Sequence, residues 1–107
     1  MPDTFNGSEG APIGIVDAAT LTQKYRTENP GKTKAHFFGR EHIKALLDQE
    51  GAMGIRIYYG IDKFDQPQLV LCAADENQDD MLDLLMDFSV PCPDRCGATN
   101  DLNSDPN

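Results

Sequence analysis

Cys92 and Cys96 bracket the segment Cys92-Pro93-Asp94-Arg95-Cys96, where side chains of redox or ligating type fall close together. Three residues separate them. Thioredoxin-like redox sites and zinc knuckles use two, and an iron–sulfur loop would need a further nearby cysteine. Three states stay open. One is a local disulfide closing a loop pre-shaped by its prolines, with a small entropic gain because the loop is short. Another is half of a zinc site, completed by Cys72 and by His36 or His42. The third is a pair of unbonded thiols. Cys72 itself lies in an apolar run and reads as a small buried hydrophobe.

Other constellations are weaker. Asp75-x-Asn77-x-Asp79 begins like a calcium loop, but Asp80 stands where glycine makes the sharp turn and Met86 where a bidentate glutamate closes the cage. His36 and His42 flank Phe37-Phe38-Gly39 without the H-E-x-x-H register of a zinc protease. They read as ordinary surface or half-buried imidazoles. No G-x-G-x-x-G, phosphate loop or G-x-S-x-G occurs. No residue is therefore assigned a catalytic role, and no cofactor is expected. Arg56 and Tyr58 share one face of a strand, and exposed Arg and Tyr are common interface anchors. They are the candidate interface residues, set against a plain solvated or helix-covered sheet face.

The elements that would position these side chains follow from periodicity. Residues 1–12 are rich in Gly, Pro, Ser and Asn and read as a flexible leader. Asp17 is placed to cap a helix over about residues 18–28, with Leu21 and Tyr25 on one face and Val16 as a staple; Pro30-Gly31 stops it. Residues 34–39 fit either a short strand or the lead-in to the next helix. Ile43, Leu46 and Leu47 mark a second helix from Arg40 to Gln49, stopped by Gly51. Ile55, Ile57, Tyr59 and Ile61 alternate with Arg56, Tyr58 and Gly60, which predicts a half-buried strand over 54–61. A polar turn at 62–67 leads to a strand over 68–74 that is apolar on both faces and hence central. Met81, Leu82, Leu84, Leu85 and Phe88 recur at helical spacing and suggest a third helix, with an edge strand as the competing form. Pro91 and Pro93 end it. Residues 97–107 lack core-forming content.

A chain of 107 residues with 39% apolar side chains holds one core. The expected organisation is a leader at 1–12, one domain at 13–90 and a polar, cysteine-containing tail at 91–107. No apolar run approaches a membrane span, and the first residues lack a signal-peptide pattern. The default compartment is the cytoplasm, although export without a visible signal would leave the same sequence. Net charge is −9. Residues 1–74 carry nine acids and eight bases, whereas residues 75–107 carry nine acids and only Arg95. Phosphate backbones and anionic membranes require clustered cations, so neither nucleic acid nor membrane is an expected partner.

The blocks Gly54-Ile55-Arg56-Ile57-Tyr58-Tyr59-Gly60, Leu69-Val70-Leu71 and Val90-Pro91-Cys92-Pro93-x-x-Cys96 resemble a family of small proteins from Bacteroidota-type bacteria, over about residues 15–96. The resemblance implies that strand motif and cysteine pair belong to one design; it brings no activity, cofactor or functional residue. The expectation is an α+β fold: a small antiparallel sheet centred on a β-hairpin, packed by two or three helices. The expected role is a non-catalytic interaction or structural subunit of a homo-oligomeric or filamentous assembly. The alternative is a metal-binding or thiol-redox protein using Cys92 and Cys96, with Cys72 and His36 as further ligands.

Overall fold

Asp62 turns the chain back on itself. Its Oδ1 accepts hydrogen bonds from the backbone N–H of Phe64 (2.8 Å) and Gln66 (3.0 Å), and its Oδ2 accepts from Gln68 Nε2 (2.9 Å). Those donors, the Gln66 amide foremost, hold its carboxyl below the ordinary carboxylate range. The turn closes a hairpin between Gly54–Ile61 and Pro67–Ala74, which pair from Gly54↔Ala74 to Ile61↔Pro67. This is a computed structural model, and it describes residues 3–104. Met1 and Pro2 of the expected leader, and Asp105, Pro106 and Asn107 of the expected tail, lie outside the described residues.

The elements in chain order are α1 (Ile15–Glu28), β1 (Ala35–Phe37), α2 (Arg40–Leu47), β2 (Gly54–Ile61), β3 (Pro67–Ala74), β4 (Asp80–Met86) and β5 (Val90–Cys92). Two helices and two antiparallel sheets make the α+β fold that the periodicity predicts. The larger sheet runs β2-β3-β4, so β3 is central, as its two apolar faces require. The lead-in at 34–39 resolves as the short strand β1.

The third helix is not there; residues Asp80–Met86 form β4. The cause is the turn before it. Asp75 Oδ1 accepts from the backbone N–H of Asn77 (2.9 Å) and Asp79 (3.0 Å), which returns the chain antiparallel beside β3. The apolar spacing misleads because the strand bulges. Met81 pairs with Ala73 and Leu85 with Cys72, so Leu82, Asp83 and Leu84 intervene between partners of adjacent β3 residues. A bulge of that size erases the period-two signature.

The chain forms two compact units, Met1–Gly10 with Phe38–Ser89, and Ala11–Phe37 with Val90–Asn107. In the first, α2 packs against all three strands of the larger sheet. Gly39, in extended conformation, precedes the helix, and Leu46 is its wholly buried residue. Leu46, Leu71, Cys72, Ala73 and Ala74 form the core of this unit.

The second unit joins α1 to the β1–β5 ladder, in which Ala35 pairs with Cys92 and Phe37 with Val90. Here the helix reading needs two corrections. Asp17 lies in the first turn of α1, where its charge suits the helix dipole, and Gly14 occupies the cap position without a side-chain bond. The expected apolar face also points outward: Val16, Leu21 and Tyr25 are exposed, and the half-buried positions are Ala18, Ala19, Thr22, Arg26 and Asn29. Small alanines and hydrogen bonds hold that side, including Arg26 Nη1 donating to the Leu102 carbonyl (2.6 Å).

Replacing Leu46 by Ala removes the largest buried apolar side chain on α2. The expected loss is about 2–4 kcal/mol in urea unfolding. A loss under about 0.5 kcal/mol, the range typical of surface changes, would show that α2 does not anchor the core.

Candidate functional site

Two groups of chemistry-bearing residues assemble, one in each unit. In the first unit, Arg56 stands on β2 directly opposite Cys72 of β3, and Asp80 opens β4 opposite Ala74. Arg56 Nη1 donates to Asp80 Oδ1 (2.6 Å) and to the Gln78 carbonyl (3.0 Å). The Tyr58 hydroxyl donates to Asp80 Oδ2. One carboxylate thus takes a donor on each oxygen, both from β2. The guanidinium also lies over the Phe5 ring, 5.4 Å from its centroid, where the cation meets the negative π face.

These contacts set the protonation states. The Tyr58 hydroxyl, ahead of the Arg56 guanidinium, holds the Asp80 carboxyl below its ordinary range. The Asp80 carboxylate in turn raises both Arg56 and Tyr58, keeping the guanidinium charged and the phenol neutral. Burial first, and then Asp80, push the Cys72 thiol up, so it remains an unreactive S–H. Arg56 and Tyr58, proposed as interface anchors, therefore spend their polar ends inside their own sheet, while the Tyr58 ring stays partly exposed.

Beside them lies the outer edge of β2. Phe5, Gly7 and Glu9 of the leader and consecutive residues 53–57 line a cavity of about 430 Å³. Consecutive strand residues alternate between faces, so this cavity runs along the strand edge. Toward the hairpin turn the apolar side chains emerge: Ile57 is 53% exposed, Tyr59 94% and Ile61 76%. The alternation that predicts β2 holds; the burial of its apolar face fails beyond Ile55.

In the second unit, Cys92 and Cys96 lie at disulfide distance, with Cα atoms 4.7 Å apart. Cys92 is buried at the end of β5, and Cys96 is half-buried. The Cys92 carbonyl accepts from the Lys34 backbone N–H (2.8 Å), and Arg95 N–H donates to the Pro91 carbonyl (3.1 Å). Asn103 fastens the segment after Cys96. Its Nδ2 donates to the carbonyls of Cys96 (3.2 Å) and Ala98 (3.0 Å), its Oδ1 accepts from Asn100 N–H (2.9 Å), and its carbonyl accepts from Lys34 Nζ. His36 sits on β1 opposite Pro91, and burial lowers its pKa. His42 is exposed on α2.

Among the described residues no group of three or more His, Cys, Asp or Glu side chains could hold a metal ion. The alternative ligand set Cys72, Cys92, Cys96 and His36 does not form such a group. Asp75 Oδ1, the first position of the calcium-like run, already accepts two backbone amides.

Three participants escape the sequence reading. Asp80 reads only as the residue that breaks the calcium-like run, Phe5 as part of a loose leader, and Asn103 as a residue of a coreless tail. A signal for Asn103 exists in the run Asn100-Asp101-Leu102-Asn103-Ser104, since Asn and Ser bond their own backbone in turns: Asn100 Oδ1 accepts from Leu102 N–H (2.8 Å) and Asn103 N–H (3.1 Å). Comparison with protein-family models, curated proteins and solved structures finds no match to the chain. Among the described residues no helix is long and apolar enough to cross a membrane.

Asp80 is a depressed carboxylate, so its contribution to stability is present above its ordinary titration range and is lost as pH falls through its folded value. Asp80→Asn should lower the urea midpoint at neutral pH and flatten the fall in midpoint at and below the ordinary carboxylate range. A variant whose midpoint falls with pH as steeply as wild type would contradict the role given to this carboxylate.

Proposed function

We propose that this protein is a non-catalytic subunit that associates with a second copy of itself through β2. The observation that carries the reading is the row Ile57, Tyr59 and Ile61, exposed on an outermost strand. Exposed apolar rows on sheet edges promote pairing with another strand.

The strand is also complementary to itself. In an antiparallel pair centred on Tyr58, opposite residues share a face. Ile57 then meets Tyr59 of the second copy, Ile55 meets Ile61, and Tyr58 meets Tyr58. Arg56 is the sole charged residue on β2 and faces Gly60, so no like charges oppose each other. Residues 59–61 of the second copy run along the cavity edge at 55–57. Gly60 brings no side chain there, and the neighbouring residues are apolar. Nothing in this arrangement needs a reactive side chain, which suits a sheet whose polar groups are committed to one another.

The first unit contains thirteen acids and four bases, a net charge of −9, which repels a second copy. Added salt screens that repulsion within a Debye length of about 10 Å at 0.1 M. Self-association should therefore strengthen with ionic strength. Sedimentation equilibrium reads this directly. Tyr59→Lys alters a side chain 94% exposed in the protomer, so the fold should persist by circular dichroism while the dimer weakens at least about tenfold. A wild-type protein that stays monomeric at high concentration and high salt would sink the proposal, as would an unweakened Tyr59→Lys dimer.

A further inference from the structure

We propose that Cys96 exchanges disulfides with a small anionic thiol, held in the cavity beside the Cys92–Cys96 pair by Lys34 and Arg95. The reading is independent of self-association and concerns the second unit alone. A cavity of about 390 Å³ opens there, within the range of small-ligand sites, and both cysteines line it. Among the described residues its charged lining is Lys34 and Arg95, with no carboxylate. His36 also lines it, and burial favours its neutral imidazole. Among the unit's described acids, Asp17, Glu28 and Asp101 do not line it, and Asp94 lines an adjoining concavity that shares Phe37, Val90, Arg95 and Cys96 with it.

Burial decides which sulfur is attacked. Cys92 is 4% exposed, whereas Cys96 is half-buried and is the more accessible residue of the pair. The incoming thiolate attacks Cys96 Sγ in line with the existing bond. A new S–S bond forms between the thiol and Cys96, the Cys92–Cys96 bond breaks, and Cys92 leaves with the electron pair as a thiolate. Lys34 and Arg95 favour that thiolate, as cations beside a cysteine do. A second thiol molecule then attacks the external sulfur of the mixed disulfide. It releases the Cys96 thiolate and forms the oxidised dimer of the thiol. Overall, two thiols are oxidised to one disulfide and the protein pair is reduced to two thiols.

The charge argument has an opposite expectation built into it. The whole chain carries −9 and repels anions at long range. The second unit does not share this charge: it contains five acids and five bases. Preference for an anionic thiol can therefore come only from the local cations.

The experiment reacts the oxidised protein with 2-mercaptoethanesulfonate, 2-mercaptoethanol and cysteamine at low salt, with rates normalised to thiolate concentration. The anionic thiol should react about tenfold faster than the neutral one, with the cationic thiol slowest, and salt should erase the difference. Arg95→Gln should reduce the anionic preference several-fold, and Arg95→Lys should restore most of it. Alkylation followed by peptide mass mapping should find the mixed disulfide on Cys96 and the alkyl group on Cys92. If Arg95→Gln fails to fold, the wild-type ranking and the mapped site still decide. A neutral thiol that reacts as fast as the anionic one, a mixed disulfide on Cys92, or a purified protein with no Cys92–Cys96 bond would overturn the assignment.

Discussion

Asp80 sits at the first position of β4 and reaches past the central strand to Arg56 and Tyr58 on β2. The rest of the larger sheet depends on this reach. β4 bulges within the pairing that holds it to β3, so backbone bonds alone fix its register poorly. Because Asp80 takes a donor on each oxygen, both from the far strand, β2 and the start of β4 are fixed relative to each other. Cys72 lies between them, buried against the carboxylate, and Phe5 lies against the guanidinium. A sliding β4 would leave Arg56 and Tyr58 without their acceptor.

The second unit is held by different means. Its sheet has two short strands, α1 contributes no buried residue, and the buried polar residue Asn103 gathers the chain beyond Cys96. Hydrogen bonds and the cysteine loop do here what apolar burial does in the first unit. Charge divides along the same boundary, with the whole −9 in the first unit and balance in the second. That division gives the two proposals their opposite responses to salt: screening favours contact between acidic units and weakens attraction of an anion to Lys34 and Arg95.

The hairpin was legible because alternation and turn chemistry agreed: Ile55, Ile57, Tyr59 and Ile61 mark β2, and Asp62 supplies the turn. α2 was legible from Ile43 and Leu46 with Gly51 behind them. β4 was not, because its bulge places Leu84 and Leu85 side by side and imitates a helix. The face of α1 was misjudged for a related reason, since Ala18, Ala19 and Thr22 make close approach possible without apolar bulk. Cys92 and Cys96 were legible as a pair. Their partners Lys34 and Asn103 were not, because they lie 69 residues apart and meet only through the β1–β5 ladder and the turn after Cys96. Charge summed along the chain placed the acidity in the last third, and folding redistributes it between units.

The first unit spends the polar groups of its sheet on itself and leaves one apolar row of β2 outside. Arg56, Tyr58 and Asp80 satisfy one another, while Ile57, Tyr59 and Ile61 face outward on a strand whose outer edge has no strand partner among the described residues. The central claim is that a second copy covers this row by pairing with β2. Amide hydrogen exchange of residues 54–61, followed from dilute to concentrated protein, tests it most directly. The account predicts that the β2 amides become protected as concentration rises while those of Leu71 to Ala74 on β3, already paired with both β2 and β4, do not change. Identical exchange of β2 at every concentration would contradict it.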